Sequence, residues 1–174
     1  MQPKERILDT VSVLFHKQGY NATGINQIIE EAKVAKASFY QHFKSKEDLC
    51  VAFLSQRHLF WFDALEKFSS KEKDSKSKVL ASFNFLIFMN QNENFRGCSF
   101  LNILSEIPSD NVKIIQVIQS HKTDLQHYFR NIIADHLLAD HIYLLFESSI
   151  IESQVFKSNQ LIEQSKKIIQ TLIS

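Results

Sequence analysis

Helix breakers are scarce in this chain. Glycine occurs only at Gly19, Gly24 and Gly97 and proline only at Pro3 and Pro108, too few for the tight turns that a β-protein needs between its strands. An all-α fold follows. Pro3 suits a first helical turn, and Ile7, Leu8, Val11, Leu14 and Phe15 recur on one face up to Gly19, which can close the helix in the left-handed region.

Downstream the elements shorten. Thr23 is placed to cap a second helix that turns Ile25, Ile28 and Ile29 inward, a break falls at Lys33 and Val34, and a third helix runs over 35–42. Ser45 can cap a fourth, with Glu47 and Asp48 meeting the positive end of the helix dipole, and Leu49, Ala52, Phe53, Phe60, Ala64 and Phe68 carry it to Ser69. The run "SSKEKDSKSK" reads as a loop because it is polar and without periodicity. Beyond it the apolar spacing predicts helices over 79–90, 98–106, 111–133, 136–156 and 160–173, about nine in all. Two domains are expected: 1–48, built on the short helices, and 49–174, helical and more apolar.

Charge excludes as much as it suggests. Twenty basic residues face nineteen acidic ones, so any affinity for nucleic acid must come from local clustering. "MQPKER" is charged where a secretory signal would be apolar, and the longest nearly apolar run, 79–89, is too short to span a bilayer. A cytoplasmic protein without membrane contact is expected. Cys50 and Cys98 lack partners at metal spacing and read as reduced thiols. His121, His127, His136 and His141, with Asp124, Asp135 and Asp140 nearby, show no tight ligand spacing, so no metal or other cofactor is expected. Nor is an enzyme expected, because no region offers a paired acid and base, an activated nucleophile or a phosphate-cradling glycine loop.

Two short helices joined by a brief turn and braced by a longer one form a helix-turn-helix, whose second helix enters the DNA major groove. Here that second helix lies in "VAKASFYQHFKSKEDL". With Val34, Phe39 and Phe43 packed inward, Lys36, Ala37, Tyr40 and Gln41 fall on the outer face, Ser38 and His42 at its margins, and Lys33, Lys36, Lys44 and Lys46 flank it without an acid among them. Cations at the edges suit phosphates, and short polar side chains between them can approach base edges.

The segment "ILDTVSVLFHKQGYNATGINQIIEEAKVAKASFYQHFKSKEDLCVAFL", residues 7–54, resembles the DNA-binding domain of TetR-family transcriptional regulators through "LFHKQGYNAT" and the later run of Tyr40, His42, Phe43, Ser45, Lys46 and Glu47. The resemblance implies that Thr23 and Tyr40 donate to phosphates, that Lys46 pairs with one, that His42 lies against the backbone, and that Lys36, Ala37, Ser38 and Gln41 face the groove. Two positions depart from the family. Lys33 stands where glycine is common, so a left-handed backbone would cost about 1 kcal/mol. Ala35 stands where serine or threonine often caps the recognition helix, which forfeits about 1 kcal/mol.

The remaining residues resemble the family in architecture alone, which implies a ligand-binding and dimerisation domain. Ile150, Ile151 and Val155, with Leu161, Ile168, Ile169 and Leu172 at the end of the chain, are the expected interface of a homodimer, because a palindromic double-stranded operator needs two reading heads. Trp61, Phe85, Phe88, Phe100, Tyr128 and Tyr143 are the expected walls of a pocket for a small hydrophobic effector. The expected function is a DNA-binding repressor released by such an effector. The alternative is a DNA-binding protein whose C-terminal domain holds a protein partner instead.

Overall fold

The computed structural model describes residues 1–173, and among them every regular element is a helix. In chain order these are α1 (Pro3–Gln18), α2 (Ile25–Glu31), α3 (Lys36–His42), α4 (Lys46–Ser69), α5 (Ser75–Asn92), α6 (Ser99–Leu104), α7 (Val112–Ile132), α8 (His136–Phe156) and α9 (Gln160–Leu172). No helix is long and apolar enough among these residues to cross a membrane.

Most boundaries have a local cause. Gln2 and Glu5 form a capping box around the first turn of α1, with Pro3 at its start, and Gly19 ends it at φ 91°. The Asp135 side chain accepts from the backbone N–H groups of Leu137 and Leu138 at 2.9 and 3.2 Å, which starts α8. The charged run before residue 79 is only partly a loop. Asp74 accepts the Ser77 N–H at 2.8 Å, so α5 begins at Ser75, four residues before its apolar stretch.

Two compact units form, Met1–His58 with Ser99–Gln119, and Leu59–Cys98 with Ser120–Ser174. In the first, Ile7, Val11, Leu14 and Phe15 of α1 are buried together with Ile28, Phe39, Phe43, Leu49, Phe53 and Leu54. The Phe15 ring meets Tyr20 and Phe53 edge-on, each at 5.4 Å between centroids. Helices this short are marginal alone, so packing on α1 is what holds α2 and α3 in place. The second unit closes on an aromatic core. Phe146 meets Phe83, Phe129 and Trp61 at 5.3, 5.2 and 6.0 Å, and Trp61 meets Phe85 at 4.9 Å.

Candidate functional site

Sequence forces an unusual residue into the turn between α2 and α3. Lys33 has φ 53°; its N–H donates to Glu30 O at 3.1 Å, and the Val34 N–H donates to Ile29 O at 3.2 Å. That pair of bonds is the helix ending that glycine usually supplies. Burial of Val34, 9% exposed, anchors it, so the expected left-handed lysine is present.

Ala35 follows at φ −69° and ψ 145°, with no side chain to cap α3. The backbone is already in the conformation a serine cap needs. Ala35→Ser is therefore expected to stabilise the protein by about 1 kcal/mol, measured by chemical denaturation; an unchanged midpoint would show that the α3 N-terminus has other partners.

Phe39, fully buried, and Phe43, 4% exposed, pin one side of α3 into the first unit. The opposite side presents Lys36, Ala37, Tyr40, Gln41 and His42 to solvent, with Ser38 partly buried at the margin. Tyr40 is 43% exposed, its ring edge-on to Phe39 at 5.2 Å, so the phenol stands out from the surface. Lys33 and Lys44 are also exposed.

Lys46 is placed differently. It lies in the first turn of α4, partly buried, with Nζ 4.3 Å from the centroid of the Tyr20 ring. Burial pulls its pKa below the ordinary lysine value, opposed by Cys50 and Glu106. Burial, then Cys50 and Glu47, pushes the Tyr20 phenol up to about 12, so Tyr20 stays a neutral platform for the ammonium. Ser45 caps α4 as expected, its Oγ accepting the Asp48 N–H at 3.0 Å.

Thr23 differs from expectation on both counts. It is fully buried, and its hydroxyl donates to Gly19 O at 2.7 Å. Gly24, not Thr23, occupies the N-cap of α2. The turn after α1 closes on itself, with the Thr23 N–H donating to Tyr20 O at 3.2 Å, and this draws the hydroxyl inward, away from any phosphate.

In the second unit, the aromatics named from sequence separate. Trp61 and Phe85 touch inside the core, Tyr128 and Tyr143 are partly buried against it, and Phe88 is 42% exposed beside Phe68. Phe100 is buried in the first unit. Tyr128 shares a 2.8 Å hydrogen bond with Ser82. A polar island that spacing did not reveal lies in the same unit. Lys122 Nζ donates to Glu147 Oε2 at 2.6 Å and to Cys98 Sγ at 3.6 Å, while Glu147 Oε1 is buried without a partner among the described residues. Burial works against the Lys122 charge, but Cys98, Glu147 and Tyr143 together hold its pKa above the ordinary value.

The α8 and α9 residues divide as well. Ile150 is 9% exposed and Ile169 fully buried, so both belong to the subunit's own core and not to an outer face. Ile151, Val155, Leu161, Ile168 and Leu172 remain exposed, joined by Leu137 and Leu144, which the sequence reading passed over. Leu137, Leu144 and Ile151 recur every seven residues, and that was the available signal. An open hollow of about 420 Å³ on this surface is lined by His141, Leu144, Leu145 and Leu172.

Comparison with known proteins adds three findings. Residues 7–53 match the family model described as bacterial regulatory proteins, tetR family. Among curated proteins, the chain is 35% identical over 78 residues to the HTH-type transcriptional regulator QacR of Staphylococcus aureus, covering 45% of this chain and 42% of that protein. It is 28% identical over 106 residues to the HTH-type transcriptional repressor NemR of Escherichia coli K12, covering 60% and 53%. The matched segment thus spans about half the length of these curated relatives. Among solved structures, SCO4454 of Streptomyces coelicolor, a TetR-family transcriptional regulator, superposes with TM-score 0.89 at 22% identity over 97% of this chain and 93% of that one. At that identity the likeness is one of fold.

Proposed function

This chain belongs to the TetR family of transcriptional regulators, and on that premise we propose that it works as a homodimeric repressor whose paired α3 helices read a palindromic operator. One observation carries the reading. Phe39 and Phe43 bury one side of α3 while Lys36, Ala37, Tyr40, Gln41 and His42 stand exposed on the other, a row of cationic, phenolic and short side chains on a helix, the element that the major groove admits. Tyr40 donates to a phosphate, Lys36 and Lys46 supply cations, and Ala37, Ser38 and Gln41 approach base edges.

Dimerisation is supported by the exposed aliphatic row on α8 and α9. A monomer gains nothing from leaving Leu144, Ile151, Val155 and Leu172 in water, whereas a second copy placed about a two-fold axis would cover them with the same row. Ile151→Glu puts a charge into that contact without disturbing the buried neighbours. The variant is expected to sediment as a monomer and to lose more than tenfold in operator affinity, because one reading head then binds alone. A dimer of unchanged strength would move the interface elsewhere.

We propose further that a small hydrophobic effector bound in the second unit releases the operator. Trp61, Tyr128 and Tyr143 supply apolar and hydroxyl surface, and the Lys122–Glu147 pair supplies the polar group that orients a ligand in such a setting. Release requires that the effector bind more tightly to a conformation of the dimer whose recognition helices no longer match one turn of DNA.

A further inference from the structure

Glu106, Asn111 and Lys113 make four polar contacts with the α1–α2 turn and the first turn of α4 within the first unit. Glu106 Oε2 accepts the Asn21 backbone N–H at 2.7 Å, and the Glu106 carbonyl accepts Asn21 Nδ2 at 2.6 Å. Asn111 Nδ2 donates to Glu47 Oε1 at 2.9 Å, and Lys113 Nζ lies 3.1 Å from Asp48 Oδ1. The carboxyl of Asp48 is held below the ordinary carboxylate range, first by the hydrogen bond from Lys113 and then by that from Ser45. These ties reach the α1–α2 turn and the first turn of α4, the two connections that bracket α2 and α3 in the chain.

From this geometry we infer that Glu106 is a positioning residue for DNA reading, acting through the α1–α2 turn on Lys46. The inference rests on the reading of this chain as a DNA-binding regulator. The carboxylate occupies space that only glycine leaves open, since a Cβ on Gly19 would lie 2.6 Å from Glu106 Oε1. Tyr20 sits between Gly19 and Asn21, and its ring is the platform over which the Lys46 ammonium rests at 4.3 Å. Glu106 is also an electrostatic neighbour of Lys46. Fixing Gly19 and Asn21 therefore fixes the ring, and the ring fixes the phosphate-facing cation. Exposed polar ties contribute little to folding, but their directionality sets orientation.

The test measures affinity for a selected operator and for random DNA at one salt concentration. Glu106→Ala is expected to weaken operator binding about tenfold, the effect of one charge-assisted hydrogen bond, with random-DNA binding reduced in step because a phosphate-facing cation serves any sequence. Glu106→Gln, whose carbonyl oxygen still accepts from the Asn21 N–H, is expected to stay within about twofold of the parent. Asn21→Ala removes only the side-chain donor and is expected to cost about threefold. Operator affinity unchanged in Glu106→Ala overturns the inference, as does an equal change in the Ala and Gln variants, which would mark a charge effect only. If Glu106→Ala fails to fold, Asn21→Ala decides, and parental operator affinity there overturns it. A parent protein that does not distinguish operator from random DNA overturns the regulator reading and this inference with it, whereas a discriminating parent with indifferent variants overturns the inference alone.

Discussion

Phe146→Ala is expected to lower the unfolding free energy by about 3–5 kcal/mol. Phe146 is fully buried, and three rings stand edge-on around it, Phe83 and Phe129 at 5.3 and 5.2 Å and Trp61 at 6.0 Å. Each edge-on pair is worth about 0.5–1.5 kcal/mol beyond the area it buries. Phe83 and Phe129 are themselves fully buried, so neither can swing in to fill the space, and a cavity remains. Trp61 is the only tryptophan in the chain, so its fluorescence reports the transition from within the altered core. Phe88→Ala, at a ring 42% exposed, is the contrast and is expected to cost about 1 kcal/mol or less. Equal losses at the two positions would mean that the core is centred elsewhere.

Gly19→Ala is expected to destabilise the first unit by about 2–4 kcal/mol, from two sources. The backbone at φ 91° and ψ 171° lies in a region that is close to glycine-only, where another residue costs about 1–3 kcal/mol. The new methyl group would also stand 2.6 Å from Glu106 Oε1, the far end of a flexible side chain, and moving that carboxylate away loosens its exposed bond to the Asn21 N–H, a loss of about 0.5–1 kcal/mol. The two contributions separate in a double-mutant cycle. In a Glu106→Ala background the clash is already gone, so Gly19→Ala should cost only the backbone part. Full additivity would show that Glu106 yields freely and that the turn is not held by it.

How much of this was legible depended on range. α8 was readable from its apolar spacing over 136–156, and the left-handed backbone at Lys33 was expected from the resemblance, since glycine is common at that position in the family. Thr23 misled because a threonine before a short helix is usually a cap. Its hydroxyl instead turns back to Gly19, and the competition between capping and local turn bonds is decided by how the chain leaves α1. On α8, Ile150 and Ile151 are neighbours of identical composition, yet one is 9% and the other 45% exposed. A helix apolar around most of its circumference does not reveal which flank faces its own core. The contact between Asn21 and Glu106 joins residues 85 apart, and the Lys122–Glu147 pair joins residues 25 apart on two helices. No local pattern encodes either.

Selection of bound sequences from random double-stranded DNA by the purified protein bears most directly on the reading of α3 as a recognition helix. The expected result is enrichment of an inverted repeat whose half-sites lie one helical turn apart, with affinity that falls steeply as salt rises. A pool that stays random after repeated rounds, whether retained through charge alone or not retained at all, would contradict it.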